Sequence, residues 1–421
     1  MFHLAHVQRE KSYLTRHYGM SMKVTFKHQE MKMQTSHKVI FENSHHMHAV
    51  SDSSVDLIVT SPPYPMIQMW DALFASLDPS IKKALDTENG MLAFELMHRQ
   101  LFPVWREMFR ILRPGGIACV NIGDATRTVG DSFMLYPNAA MILTNMLDLG
   151  FSCLPRILWR KQTNAPNKFM GSGMLPPYAY VTLEHEHIII FRKGFRREFT
   201  RADEKETRRE SAYFWEERNV WFSDIWMDLK GTTQRLKDDS VRGRSAAFPF
   251  EVPFRLINMF SVKGATVVDP FLGTGTTMMA AMAAGRNSIG FELEADFNDA
   301  LLEAMAAAVQ TSNARIDDRL AAHQVFVRER TDSGYEFKYT SRPYGFPVMT
   351  RQEIALFFNP LLQISASGDN MYRVDYSNEP QQVYHHDNLP PVKSQSRSNR
   401  SHSAKRKFPA KGPIQRKLFG G

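Results

Sequence analysis

Short apolar runs bounded by polar turns recur along this chain, and between them lie longer stretches whose apolar residues return every three or four positions. Val55-Asp56-Leu57-Ile58-Val59-Thr60 follows the polar turn Asp52-Ser53-Ser54 and reads as a buried parallel strand. Ile117 to Ile122, Arg156 to Arg160, His187 to Phe191, Thr266 to Asp269 and Ser288 to Phe291 read in the same way, with a shorter strand at Val39 to Phe41. Phe94, Met97, Leu101, Trp105, Met108 and Leu112 fall at helical spacing despite Pro103, and Arg113-Pro114-Gly115-Gly116 ends that helix. Further helices are expected over Asn138 to Leu149, closed by Gly150, and over Phe250 to Phe260, Thr276 to Ala284 and Asp296 to Val309. Strands separated by helices predict an α/β fold with a mostly parallel sheet. The rhythm is lost from Arg192 to Ala247, a charged, Trp-bearing stretch that fits neither a sheet nor a bundle period.

Composition narrows the classes. A chain of 421 residues with 43% hydrophobic content can bury a large core, which is too much for a lone recognition module. No run reaches the roughly 18 uninterrupted apolar residues of a membrane helix, and the basic N-terminus lacks the apolar segment of a secretory signal. The two cysteines, Cys119 and Cys153, both lie in apolar surroundings and are expected as buried free thiols of a cytoplasmic protein. The net charge of +8 is concentrated in the tail: nine basic residues and no acidic one lie between Lys393 and Gly421. Such a tail suits a polyanion, and equally a disordered solvated segment.

Two segments carry chemistry. Asp269 ends a strand and is followed by Pro270-Phe271-Leu272-Gly273-Thr274-Gly275-Thr276-Thr277, a Gly-containing turn that opens a helix. Open sheets bind ligands at the carboxyl ends of their strands, where glycines let the backbone approach closely and helix amides face the ligand. The segment is neither G-x-G-x-x-G nor a phosphate loop, so a pyrophosphate is disfavoured. Glu292 stands just beyond the strand Ser288 to Phe291, where a carboxylate takes the ribose hydroxyls of an adenosine ligand or faces solvent. Phe271 and Phe291 are candidate walls for the adenine, core packing being an equal reading for Phe291. Asp269, wedged between Val268 and Pro270, needs a partner to offset its desolvation. The second segment, Ser61-Pro62-Pro63-Tyr64, directly follows the strand ending at Thr60. Its prolines fix φ and remove N–H donors, which suits an acceptor site.

Together these segments resemble the S-adenosylmethionine motif and the catalytic tetrapeptide of DNA amino-methyltransferases. The likeness covers about residues 38 to 310 and extends to Arg113-Pro114-Gly115-Gly116, Trp159-Arg160-Lys161 and Phe248-Pro249-Phe250-Glu251. Catalytic motif first and cofactor motif last is the permuted order of the beta class, which implies a Rossmann-like methyltransferase fold. The resemblance further implies that Asp269, Phe271, Gly273, Thr274, Gly275, Thr276, Thr277 and Glu292 bind S-adenosyl-L-methionine. The Ser61 side chain and the Pro62 carbonyl would accept hydrogen bonds from the target amine. Pro63 would stiffen that loop, and Tyr64 would stack on a base flipped out of duplex DNA. Ser in the first position is the form commonest among cytosine-N4 enzymes, and adenine N6 stays open as the alternative. Neither cysteine follows a proline at a strand end, so methylation at cytosine C5 is not expected. A non-catalytic nucleic-acid-binding protein on the same fold, and RNA or protein as substrate, are the competing classes.

The expected organisation is an extension over residues 1–37, a catalytic half over 38–161, and a target-recognition region over 162–247. A cofactor half over 248–329, a small additional region over 330–389 and a basic tail over 390–421 complete it. Within the recognition interval Arg196, Arg197, Arg208 and Arg209 are candidate phosphate contacts, and Asn164, Asn167 and Gln234 candidate readers of adenine. His185 and His187, and the group His45, His46 and His48, lack the spacing of a closed zinc set, and no metal is expected. The partners implied are double-stranded DNA and a restriction endonuclease acting separately on the same site in a prokaryotic cell, with oligomeric state left open.

Overall fold

A computed structural model describes residues 33–161, 170–231 and 248–381. The strands of its main sheet are β1 (Gln34–Ile40), β2 (Val55–Thr60), β3 (Leu112–Ile122), β4 (Phe151–Arg160), β5 (His185–Lys193), β6 (Ile225–Trp226), β7 (Thr266–Asp269), β8 (Asn287–Phe291), β9 (Leu361–Gly368) and β10 (Met371–Tyr376). The helices are α1 (Asp71–Leu77), α2 (Pro79–Asp86), α3 (Gly90–Ile111), α4 (Asn138–Asp148), α5 (Ala202–Glu210), α6 (Trp215–Trp221), α7 (Glu251–Phe260), α8 (Thr276–Ala283) and α9 (Asn298–Asp332).

The ten strands lie in the order β6-β4-β5-β3-β2-β7-β8-β1-β10-β9. The run β3-β2-β7-β8-β1 is parallel throughout, and β5 enters antiparallel between β3 and β4. The result is a mostly parallel, Rossmann-like sheet. β2 and β7, far apart in the chain, are neighbours in register, with Leu57 opposite Val267 and Ile58 opposite Val268. Every side chain of β2 from Leu57 to Val59 is buried because helices cover both faces. One face packs Ile58, Phe94, Trp105, Met108, Ala118 and Val120; the other packs Leu57, Val59, Trp159, Val252, Leu256, Ile257 and Val267. Among the described residues no helix is long and apolar enough to cross a membrane.

Several sequence expectations need correction. Cys119 is buried in β3, but Cys153 is exposed, since β4 meets β6 only at Leu158 and Trp159 and its earlier residues turn outward. The helix does end just before Arg113-Pro114-Gly115-Gly116, at Ile111, and those residues open β3 with Gly115 at φ +83°. The periodless stretch after Arg192 holds α5 and α6. The helix expected to stop at Val309 runs to Asp332. Beyond it, β10 pairs antiparallel with β1, and β9 with β10, so residues 361–376 extend the central sheet.

Candidate active site

Thr60 and Asp269 end adjacent parallel strands, so the segments that follow them leave the sheet side by side. Ser61, Pro62 and Pro63 from the first, and Asp269, Phe271, Gly273, Thr276 and Thr277 from the second, line one cleft. Glu292, Phe291 and Phe297 close it beyond β8, while Trp70, Leu73 and Phe74 cover it from the α1 side. Tyr64, Thr274 and Gly275 do not line it. Residues 42–45, just after β1, and Phe248 also face the cleft; the sequence reading assigned them no ligand role.

Asp269 is 3% exposed and its carboxylate accepts three hydrogen bonds. Thr60 Oγ1 donates to Oδ1 at 2.6 Å, the Phe271 amide to Oδ1 at 3.0 Å and Thr277 Oγ1 to Oδ2 at 2.6 Å. Burial pushes its pKa upward, and these donors oppose the shift. The partners that offset its desolvation are thus in the protein, and Asp269 couples the residue before Ser61 to both ends of the glycine turn. Glu292 accepts from the Gly273 amide at 2.8 Å and the Glu294 amide at 3.0 Å, and burial raises its pKa as well. Gly273 has φ +53° with no atom within 4 Å of where a Cβ would lie, so its turn stays open for close approach. Gly275, at φ +81°, is needed for packing: a Cβ there would lie within 2.3 Å of Leu301 Cδ2. Two carboxylates flanking an open glycine turn, between aromatic walls, fit an adenosine-bearing ligand.

On the catalytic side, Ser61 Oγ lies 3.1 Å from the Tyr64 hydroxyl. That hydroxyl donates to Glu186 Oε2 at 3.0 Å, and Asn121 Nδ2 donates to both the Tyr64 oxygen at 2.9 Å and Glu186 Oε2 at 2.7 Å. Lys161 Nζ holds the other Glu186 oxygen at 3.0 Å. The Tyr64 ring rests on Gly123, whose missing side chain leaves it room. Burial, and then the Glu186 charge, raise the Tyr64 pKa well above that of a free phenol. Neither Asn121 nor Glu186 was singled out from sequence as part of the site. The available signal was a carboxylate at the head of the apolar run Ile188-Ile189-Ile190, which burial obliges to find donors.

A second polar anchor fixes the loop after Tyr64. Asn138, fully buried, donates through Nδ2 to the carbonyls of Pro65 at 3.1 Å and Gly123 at 2.9 Å. Its Oδ1 therefore accepts from His98 Nε2 at 3.0 Å, which makes His98 a neutral imidazole protonated at Nε2. Burial lowers the His98 pKa to about 4, and that of His37, buried in β1, to about 3. Both rings stay neutral in the fold while the unfolded chain takes up protons below about pH 6.5. Stability is therefore full above pH 6.5 and falls toward pH 4 by about 1.4 kcal/mol per pH unit for each ring. Denaturant titrations between pH 7.5 and 5 measure this slope; His98→Gln, which keeps a donor for Asn138, should make it shallower, and an unchanged slope would refute the assignment.

The arginines expected to meet DNA lie elsewhere. Arg197 Nη1 pairs with Asp56 Oδ1 at 2.6 Å, and Asp56 stands at the amino-terminal start of β2. Gly115 at the same end of β3 packs against the Arg197 backbone. Arg208 stacks over Phe199, as Arg197 does, and Arg209 pairs with Glu206. Residues 196–209 thus gather at the end of the sheet opposite Ser61. Residues 225–231 run back toward the site: β6 pairs with Leu158 and Trp159, and Gly231 packs on Lys161. Asn164, Asn167, Gln234 and the basic tail fall outside the described residues.

Residues 55–303 match a protein family described as DNA methylase. The chain is 52% identical over 322 residues to the type II methyltransferase M.MthZI of Methanothermobacter thermautotrophicus, a match spanning 76% of this chain and 89% of that protein. It is 51% identical over 271 residues to the type II methyltransferase M.MjaI of Methanocaldococcus jannaschii, across 62% of this chain and 88% of the other. Among solved structures, a DNA modification methylase of Thermus thermophilus, TTHA0409, complexed with S-adenosyl-L-methionine, aligns with a TM-score of 0.50 at 29% identity, covering 65% of this chain and 93% of that one.

Proposed function

Because the chain belongs to the DNA methylase family and uses S-adenosyl-L-methionine, we propose that it methylates the exocyclic N4 of cytosine within a specific duplex site. Ser61 carries this reading. Cytosine-N4 enzymes commonly bear serine at the head of the tetrapeptide, and here that hydroxyl opens into the cleft that holds Asp269 and Glu292.

An exocyclic amine is itself the nucleophile once its lone pair leaves ring conjugation, so the protein need only orient it and accept its hydrogens. In this reading Ser61 Oγ and the Pro62 carbonyl accept those hydrogens, with Phe271 and Glu292 on the cofactor side, all four residues lining the same cleft. The bound cofactor supplies an electrophilic methyl group on a positively charged sulfur. Asp269 joins the two halves, since it holds both Thr60 and Thr277. Neither thiol is suited to attack a ring carbon: Cys119 is sealed in β3 with its pKa pushed far up by burial, and Cys153 lies on the outer part of β4.

Like its type II relatives, the protein would act as the modification partner of a nuclease cutting the same sequence. The test is to incubate duplex DNA with the protein and labelled cofactor, digest it, and identify the methylated nucleoside by mass. N4-methylcytosine is expected. N6-methyladenine as sole product would overturn the cytosine assignment and leave the methyltransferase assignment intact.

A further inference from the structure

Glu186 touches no part of the cleft, yet its contacts determine what Ser61 can offer to a substrate. A carboxylate only accepts hydrogen bonds. Lys161 supplies a donor to Oε1, and Asn121 and Tyr64 supply donors to Oε2. The single hydroxyl hydrogen of Tyr64 is therefore committed to Glu186. Its oxygen, already receiving the Asn121 amide at 2.9 Å, can only accept from Ser61 at 3.1 Å. The hydroxyl hydrogen of Ser61 is committed in turn, and only lone pairs remain for whatever arrives in the cleft.

The orientation of Asn121 is fixed by the same carboxylate. With its amide reversed, Oδ1 would face Glu186 Oε2 at 2.7 Å, oxygen against oxygen. In the orientation present, Oδ1 is buried without a partner among the described residues. A free serine hydroxyl rotates and donates or accepts as its neighbour requires; this one is held in a single sense.

We infer that Glu186, acting through Tyr64 with Asn121, is a positioning residue that locks Ser61 as a hydrogen-bond acceptor and so selects an amine at the target position. An exocyclic amine brings N–H donors that match Ser61. A ring carbonyl at the same place brings only lone pairs and leaves two acceptors face to face. The inference rests on the methyltransferase reading and extends it to a residue outside the motifs.

Glu186→Leu tests it, close in size and without an acceptor. The Tyr64 hydrogen then turns to Ser61 and sends the serine hydrogen into the cleft. The single-turnover methyl-transfer rate should fall by about 10²-fold, with cofactor affinity near that of the unaltered protein. Glu186→Gln should keep most of the rate, because its oxygen can stay on Tyr64 and Asn121 while its NH₂ faces Lys161, whose side chain is 42% exposed and can swing to water. The decisive measurement is coupling: in a Ser61→Ala background, Glu186→Leu should cost less than about threefold more, because the group it acts through is gone. Tyr64→Phe should show the same loss and the same non-additivity, which keeps the idea testable if Glu186→Leu folds poorly. Losses that multiply independently, or an undiminished rate in both Glu186→Leu and Tyr64→Phe, would overturn the inference while methyl transfer by the unaltered protein stands. Absence of any transfer to duplex DNA by the unaltered protein would overturn both.

Discussion

Replacing Ser61 by alanine should lower the single-turnover rate of methyl transfer by about 10²- to 10³-fold and leave cofactor affinity within about twofold. The hydroxyl lies at the cleft wall rather than in the core, so removing it creates no large void. What is lost is an acceptor whose attraction for the amine grows as that nitrogen becomes positive in the transition state. Thr60, the residue before it, remains bound to Asp269 at 2.6 Å, so the backbone of the tetrapeptide should stay in place. Quench-flow measurement of methyl incorporation, with calorimetric titration of cofactor, separates the two quantities. Equal losses in rate, cofactor affinity and thermal stability would show Ser61 to be a structural residue.

Asp269→Ala should be worse in a different way. Three donors converge on this carboxylate, from Thr60, Phe271 and Thr277, in a place that water does not reach. Without it they lose their acceptor together, at about 1–3 kcal/mol for each group left unsatisfied. The expected result is a stability loss on the order of 3 kcal/mol or more, with cofactor affinity and rate falling together because both loops lose their shared anchor. Asp269→Asn should recover much of the stability, since a carboxamide still accepts and a threonine hydroxyl can turn to accept from its NH₂. Chemical denaturation and cofactor titration on the two variants decide it. A destabilisation below about 0.5 kcal/mol in Asp269→Ala would mean that the three bonds carry little.

The contrast between these two residues bears on what a sequence discloses. β7 was legible to the residue because Val267 and Val268 are flanked by sharp polar signals, and β2 because a strand covered on both faces has no polar side to obscure it. The lower part of α9 was hidden for the opposite reason. Its buried stripe past Val309 includes Ser312, Arg319, His323 and Gln324. Arg319 is neutralised by Glu217 at 2.6 and 2.7 Å, and His323 meets Glu216 at 2.7 Å. These partners are remote in the chain, and the apolar residues of the same stripe, Ile316, Leu320 and Val327, are sparse on their own. α5 is polar all round with no buried side chain, and it too leaves no stripe.

The site divides similarly. Its two motifs are local and were visible as strings. Glu186, Asn121 and Asn138 acquire their meaning from strand and helix neighbours that only the folded chain brings near. The arginines illustrate the converse: Arg196, Arg197, Arg208 and Arg209 suggest a polyanion by composition, and only the antiparallel run of β5 beside β3 shows that the chain reaches the end of the sheet away from Ser61 before they occur.

The family match ends at residue 303, but the sheet does not. β10 covers the outer edge of β1, and β9 covers β10. Tyr376 donates its hydroxyl to the Met282 carbonyl and accepts from Thr35, closing a cluster that includes Val39, Met282 and Leu301. A chain cut back to residue 303 would bare a long unpaired strand beside exposed apolar side chains, the arrangement that invites edge-to-edge aggregation. The segment that the family match covers is therefore smaller than the sheet this chain folds, and shortened versions for crystallisation or fusion should keep residues through Ser377.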